Sequence, residues 1–167
     1  MKKIICFLLV LCTFVGIVGC TAKETPENSI TVYYRREKLI YGSADSVIAA
    51  AYLETDGRTQ NYKDLLNQYF AATPGDGFAT TFPEDLKLVS FKLEGLTVKV
   101  VLSDQIAAYS GMNLTIALTC LTQTIMSLTG CHEVIISANT AQLDGQNFIT
   151  LNRDSYLLLD DSGVNQN

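Results

Sequence analysis

The sequence predicts an α+β fold: a two-layer sandwich of one mixed sheet with two amphipathic helices, preceded by a signal peptide. Two observations lead to this prediction. Residues 62–70 and 113–129 repeat apolar side chains at helical spacing, and the shorter stretches around them are rich in β-branched residues. The resulting order is strand, helix, hairpin, helix, strand. Because each amphipathic helix must bury its apolar face, two helices packed on one sheet are the simplest arrangement.

The N-terminus has the pattern of an export signal. Met1-Lys2-Lys3 is a basic start, and residues 4–18 form a 15-residue apolar run, shorter than the roughly 20 residues of a membrane-spanning helix. The run closes on Ile17-Val18-Gly19-Cys20, which resembles the lipobox of bacterial lipoproteins. The resemblance implies that residues 1–19 are removed and that the Cys20 thiol carries the lipid. An uncleaved signal anchor is the alternative.

Polar segments flank the predicted domain. Residues 20–29 contain Pro26 and show no periodicity, so they are predicted to be a tether. The domain is expected over residues 30–159, and a polar tail over residues 160–167. The N-terminal lysines keep the start of the chain inside, so the remainder is exported. The expected location is the outer face of the cell membrane, with the lipid on Cys20 as the anchor.

The first strands follow the tether. Residues 30–34 are β-branched and aromatic, and Leu39-Ile40-Tyr41 is expected to be a second strand after a charged turn. Residues 46–54 stay open between helix and strand. A run of alanines favours a helix there, whereas the larger apolar residues alternate as in a strand.

The first helix is predicted over residues 62–70. Apolar residues recur there at positions i, i+3, i+4, i+7 and i+8, namely Tyr62, Leu65, Leu66, Tyr69 and Phe70. Asn61 is a favourable N-cap, and Asp64 suits the positive end of the helix dipole. The segment Thr73-Pro74-Gly75-Asp76-Gly77 then ends the helix and begins a loop.

A β-hairpin is predicted next. Its strands are residues 86–93 and 96–102, joined by a two-residue turn at Glu94-Gly95. In the second strand alternate residues are apolar, which indicates one face in the core and the other in water. The residues expected to face the core are Leu96, Val98, Val100 and Leu102.

The second helix is predicted from Asn113 to Thr129, with Gly130 as its C-cap. Its expected buried face contains Leu114, Ala117, Leu118, Leu121, Ile125 and Leu128. Val134-Ile135-Ile136 is typical of a buried central strand. Residues 142–146 are predicted to be a polar turn, and residues 148–151 a final strand.

Two cysteines, Cys120 and Cys131, fall within the predicted domain. Export would favour a disulfide between them. However, a helix from Cys120 to Thr129 rises about 13 Å, and the two residues after it return at most about 7 Å. The Cα atoms would then lie near the outer limit for a bridge, so both residues are predicted to be free thiols.

The sequence predicts no catalytic residue, no cofactor and no metal site. His132 is the only histidine, and no G-x-S-x-G motif supplies a nucleophile for it. Cys131-His132-Glu133 has the residue types of a metal cluster, but adjacent residues of a strand point to opposite faces. A net charge of −5 argues against nucleic acid as a partner, since phosphates need a basic face. We therefore expect a protein that is not an enzyme.

The order of these pieces resembles the GerMN (germane) domain, a module of lipoproteins and germination-associated envelope proteins in sporulating Gram-positive bacteria. The matching features follow one another between Ile30 and Ser137. They are Val32-Tyr33-Tyr34, Leu39-Ile40, the helix at 62–70, Phe82-Pro83, Leu86-Lys87-Leu88, Val101-Leu102-Ser103, Ile116-Ala117-Leu118-Thr119, Leu121-Thr122-Gln123, Gly130 and Glu133-Val134. The resemblance implies a domain that acts through protein contacts, and it brings no catalytic residues.

These observations predict a membrane-anchored extracytoplasmic lipoprotein. Its single domain would be a non-enzymatic protein-interaction module with an envelope protein as partner, in sporulation or germination. The alternative is a lipoprotein that binds a cell-wall fragment or a small molecule, and an unrecognised wall hydrolase comes third. The leading hypothesis requires an exposed sheet edge or apolar patch, whereas a ligand binder requires one deep pocket with convergent polar groups.

Overall fold

The structure, a computed structural model, describes residues 28–38, 47–56 and 61–155. These ranges contain β1 (Ser29–Arg36), β2 (Ile48–Glu54), α1 (Tyr62–Ala71), β3 (Phe78–Ala79), β4 (Leu88–Glu94), β5 (Thr97–Leu102), α2 (Gly111–Thr129), β6 (Glu133–Ala138) and β7 (Ile149–Asn152). Two short 3-10 helices lie at Asp104–Ala108 and Arg153–Ser155. The predicted signal peptide, nearly all of the tether, the strand at residues 39–41 and the polar tail lie outside the described residues.

The described strands form two sheets. Sheet A has the order β2-β1-β3 and is antiparallel, whereas sheet B has the order β4-β5-β6-β7, with β5 and β6 parallel. The α+β class and the two predicted helices are confirmed, but the prediction of one mixed sheet is wrong. The reason lies in α2, which packs on β1 of sheet A and also on β6 and β7 of sheet B. Eleven of its 19 residues are buried, more than the single stripe that one sheet would cover.

Helix α1 has the N-terminus that the sequence predicts. The side chain of Asn61 accepts a hydrogen bond from the Asp64 backbone N–H at 3.0 Å, which confirms the N-cap. Leu66 and Tyr69 are buried, whereas Tyr62 at the start of the apolar stripe is 37% exposed. Around Tyr69 a continuous cluster of rings joins α1 to sheet A, through Tyr34, Phe70, Phe78 and Phe82.

Helix side chains also complete the hydrogen bonding of β1. The Tyr33 backbone N–H donates to Thr124 Oγ1 of α2 at 3.0 Å, and the Tyr69 hydroxyl of α1 donates to the Tyr33 carbonyl oxygen. Farther along the strand, the Arg35 backbone N–H donates to Thr81 Oγ1 at 3.1 Å. Both helices are therefore attached to sheet A by polar contacts as well as by apolar packing.

The β4–β5 hairpin differs by one residue from its prediction. The turn is Gly95-Leu96, and Gly95 has φ 63°, a left-handed conformation that glycine adopts at little cost. Placing the glycine first in the turn moves Leu96 out of the strand, where it is 57% exposed and not in the core. Val98, Val100 and Leu102 are buried, as expected.

Two helix and strand boundaries are settled by the structure. The open segment at residues 46–54 contains β2, whose seven residues all pair with β1. Helix α2 begins two residues earlier than predicted and ends at Thr129, and Gly130 at φ 71° confirms the predicted C-cap. Within the described part of the chain, no helix has both the length and the apolarity that crossing a membrane requires.

Candidate interaction surface

The residues that could have carried chemistry do not converge. His132 is exposed, Cys131 beside it is buried, and the His132 backbone N–H donates to the Leu96 carbonyl oxygen at 2.8 Å. Among residues 28–38, 47–56 and 61–155, no group of three His, Cys, Asp or Glu side chains is placed to hold a metal ion. The described residues therefore give no metal-based or histidine-based centre from the Cys131-His132-Glu133 trio.

Cys120 and Cys131 are both buried free thiols, in agreement with the sequence argument from helical rise. Cys120 lies on α2 against the core, and burial raises the pKa of its thiol above the usual value. A thiol held neutral in this way is a poor nucleophile, so Cys120 contributes packing.

The surface has two sizeable depressions. One has a volume of about 520 Å³ and lies between α1 and the loop before β4, lined by Asn67, Phe70, Ala71, Glu84, Asp85, Leu86 and Lys87. The other, of about 470 Å³, lies at the ends of β6 and β7 and is lined by His132, Glu133, Asn152, Arg153 and Asp154. The lining of the first depression mixes apolar and polar residues, and both linings bring side chains of opposite charge together.

Strand β4 carries an apolar surface that the described elements leave partly uncovered. Its Val89 and Leu93 are 43% and 45% exposed, and Leu96 in the adjoining turn is exposed further. By register, Phe91 pairs with Val100 and Leu93 with Val98, so Phe91 and Leu93 lie on the core face of sheet B. The core face therefore extends beyond the elements that cover it.

Helix α1 covers this face only in part. The ring of Tyr62 packs on that of Phe91, with 4.9 Å between the centroids, and leaves Phe91 half-buried. Leu93, two residues farther along the same face, is 45% exposed. On the core face of β4, the apolar side chains thus change from covered at Phe91 to exposed at Leu93.

The backbone edge of β4 is divided in the same way. Near its start, Asn67 Oδ1 accepts from the Leu88 N–H at 2.8 Å and Lys63 Nζ donates to the Val89 carbonyl oxygen at 3.5 Å. Beyond Val89, no helix side chain of the described residues bonds to this edge. In a hairpin with a two-residue turn the hydrogen bonds alternate, which directs the N–H and C=O groups of Phe91 and Leu93 away from β5. Among the strands that the structure describes, the second half of β4 is therefore an open sheet edge.

Charges on the opposite face of β4 give this edge a positive character. Lys92 and Lys99 lie directly opposite each other in the register, and Lys99 Nζ lies 2.6 Å from Glu94 Oε2. The hydrogen bond from Lys99 and its charge hold the pKa of Glu94 below the usual value. Lys92, Lys99 and Glu94 thus place two cations and one acid on this face of the hairpin, although the whole chain has a net charge of −5.

Sequence reasoning did not find this surface. The alternation in residues 86–93 predicts a strand with one apolar face, and such a pattern is normally assigned to the core. Nothing in the pattern states how far a helix from elsewhere in the chain covers that face. The one local signal was the hairpin glycine, since a turn at Gly95-Leu96 leaves Leu96 in solvent.

Comparison with known proteins agrees with this architecture. The family model Germane, described as sporulation and spore germination, matches residues 31–144. No curated protein matches the chain.

Two solved structures share the fold. The first GerMN domain of the sporulation protein GerM from Bacillus subtilis has a TM-score of 0.58 and 16% identity, over 75% of this chain and 98% of that one. The tandem GerMN domains of the same protein have a TM-score of 0.52 and 20% identity, over 84% of this chain and 50% of that one. At these identities the likeness concerns the fold, and the family match extends over most of the described domain. The chain belongs to the Germane family of sporulation and spore germination proteins.

Proposed function

We propose that this chain is a lipoprotein attached through Cys20 to the outer face of the cell membrane. Its domain binds another envelope protein during spore formation or germination, and it acts by contact and not by catalysis. The family match supports the link to sporulation and germination. The sequence Ile17-Val18-Gly19-Cys20 after a short apolar run supports the lipid anchor.

The observation that supports an interaction module is the open half of β4. It combines two features that sheets normally hide, an unpaired backbone edge and an exposed apolar side chain at Leu93, beside Leu96 in the adjoining turn. An extended segment of a partner can add to such an edge, with backbone hydrogen bonds supplying affinity and alternate side chains supplying specificity.

The chemistry of the edge indicates the kind of segment that fits. Its side chains toward the core face should be apolar, because they would lie beside Leu93. Its side chains toward the opposite face should be acidic, because they would lie beside Lys92. The partner is thus an envelope protein with an extended segment that alternates apolar and acidic residues.

Photocrosslinking in intact membranes tests this proposal. A photoreactive amino acid placed at Leu93 should form a discrete adduct with a different envelope protein. The same residue placed at Met112, which is 64% exposed on α2, is the matched control and should form none. The variant Lys92→Glu should reduce the Leu93 adduct several-fold, since it places like charges together. Equal adducts at both positions, or none at Leu93, would contradict the proposal.

The lipid anchor needs its own experiment. Two acyl chains on Cys20, each contributing about 0.8 kcal/mol per buried CH₂, should hold the protein stably where one chain would be marginal. Labelled palmitate should mark the wild type in cells and leave Cys20→Ala unmarked. Incorporation of label into the Ala variant would refute attachment through Cys20.

A second function is favoured by the depression beside His132. Its five polar residues, with a volume of about 470 Å³, could bind a cell-wall fragment or another small molecule carrying both charges. Muropeptide fragments titrated into the protein should then shift the NMR signals of His132 and Arg153 saturably. No shift, together with the Leu93 adduct, would leave the interaction module as the remaining function.

A further inference from the structure

We propose that a small depression beside Arg35 binds one oxyanion, a carboxylate or a phosphate group, in the guanidinium fork of that residue. The depression has a volume of about 150 Å³ and lies where β1, the loop after β3 and the start of α2 meet. Its lining residues are Arg35, Thr80, Thr81, Tyr109, Asn113 and Ile116. The site goes beyond the proposed function, since it shares no residue with the open half of β4.

Arg35 is held in place by its backbone. The residue pairs with Ile48 of β2 and with Ala79 of β3, and its N–H donates to Thr81 Oγ1 at 3.1 Å. The Thr81 hydroxyl in turn donates to the Ala79 carbonyl oxygen at 3.1 Å. With the backbone fixed on both sides, the half-buried side chain enters the depression from a rigid base.

Few of the guanidinium's hydrogen-bond donors have a partner there. Among the described residues, the Arg35 side chain makes one hydrogen bond, from Nη1 to Asn113 Oδ1 at the long distance of 3.4 Å. In the described residues the ion pair joins Lys99 and Glu94, and no carboxylate pairs with Arg35. A guanidinium carries five N–H donors, and a half-buried one that lacks an anion gives up hydration without replacement.

The other lining groups are also available as donors. Within the described ranges, the hydroxyls of Thr80 and Tyr109 have no hydrogen-bond partner, and no lining residue is acidic. The first N–H of α2, on Gly111, already donates to Asp144 Oδ2 at 2.9 Å. That N–H is therefore already paired, and the anion site rests on the Arg35 side chain and the two hydroxyls.

Charge and size together define the ligand. A site with a cation, two free hydroxyls and no acid selects a group that only accepts hydrogen bonds, which is an oxyanion. A depression of about 150 Å³ has room for a carboxylate or a phosphate group. A planar fork favours a bidentate contact with either group.

An NMR titration tests the site in the full chain, purified in a non-ionic detergent. Sodium acetate and sodium phosphate are added in separate experiments, with sodium chloride at matched ionic strength as the reference. The Arg35 Nε–H and Asn113 side-chain signals should shift saturably with acetate or phosphate and not with chloride. The oxyanion with the lower dissociation constant is the preferred ligand.

Variants show whether the designated residues bind the ion. Arg35→Gln should weaken binding about tenfold or more, and Arg35→Lys less, because Lys keeps the charge without the fork. Tyr109→Phe removes one hydroxyl, keeps every charge and should weaken binding about threefold, so it remains informative if Arg35→Gln fails to fold. Arg153→Gln, at a distant surface, should leave the isotherm unchanged. A shift that never saturates, or an isotherm unaffected by both Arg35→Gln and Tyr109→Phe, overturns the proposal.

Discussion

Tyr69 offers the most direct test of how the helices are joined to sheet A. Its side chain is fully buried, and its hydroxyl donates to the carbonyl oxygen of Tyr33 on β1. Tyr69→Phe removes this hydroxyl, which also shares a side-chain hydrogen bond with Thr124 of α2, and leaves the ring in place. The ring keeps its edge-on contacts with Tyr34 and Phe82, whose centroids lie 5.2 and 4.9 Å away. The variant therefore separates the hydrogen bond from the packing.

The magnitude follows from the group that is left without a partner. Loss of the hydroxyl leaves the Tyr33 carbonyl oxygen unpaired inside the fold, which costs about 1–3 kcal/mol of unfolding free energy. For a domain of this size, that corresponds to a decrease in Tm of roughly 4 °C per kcal/mol. Urea unfolding followed by circular dichroism should show a lower midpoint with an unchanged slope, because the surface exposed on unfolding stays the same.

Tyr62→Phe is the matched control. It makes the same chemical change on the same helix, but Tyr62 is 37% exposed, so its effect should stay within about 0.5 kcal/mol. A Tyr69→Phe variant as stable as Tyr62→Phe would refute the reasoning, because the hydrogen bond to the Tyr33 carbonyl would then contribute nothing to the free energy of unfolding.

Three further predictions concern stability and pH. Burial raises the pKa of Tyr34 to about 12 and that of Tyr69 well above 10, so their stabilising effect is complete below pH 10 and should be lost progressively above it, as urea unfolding at rising pH would measure. Hydrogen bonds from the side chain and backbone of Thr140 lower the pKa of Asp104, so the stability that the ionised carboxylate adds should be lost as pH falls below about 4. Asp104→Asn should make the stability less dependent on pH in this acid range. Asp144→Ala should lower the unfolding free energy by about 1 kcal/mol, because Asp144 accepts from the first N–H of α2, as thermal melting would show.

Each of these has an outcome that would contradict it. Stability that is level from pH 9 to about pH 11.5 would mean that the two tyrosines ionise as freely in the fold as in the unfolded chain. An Asp104→Asn variant with the acid dependence of the wild type would remove the assigned role of Asp104. Asp144→Asn serves as the control for the third, since asparagine keeps both a cap oxygen and tolerance for the φ of 46° found at this position. A loss as large in Asp144→Asn as in Asp144→Ala would contradict capping.

The two helices were accessible from sequence because their signals are local. Apolar residues three and four apart define one face, Asn61 supplies the N-cap of α1, and Gly130 adopts the left-handed conformation that ends α2. Each of these depends on neighbours within one or two turns. The α+β class followed from counting such elements, and the GerMN resemblance followed from their order.

The arrangement of the strands depended on contacts distant in the chain. Residues 48–54 carry both alanines that favour a helix and an alternation that favours a strand, and pairing with β1 decided for the strand. The number of sheets was decided by α2, whose 11 buried residues exceed the apolar stripe that periodicity shows and allow it to pack on two sheets. Polar residues such as Thr124 are buried there because β1 supplies their hydrogen bonds.

The candidate surfaces show the same division. The sequence alone determined which side chains of β4 are apolar, which residues resemble a lipid attachment site, and which family the chain resembles. Only the tertiary structure decided that α1 ends its cover at Phe91 and leaves Leu93 exposed, and that Arg35 faces Tyr109 and no acid. The physical reason is that periodicity records the polarity of a face. Whether that face is covered depends on where a helix from another part of the chain comes to lie.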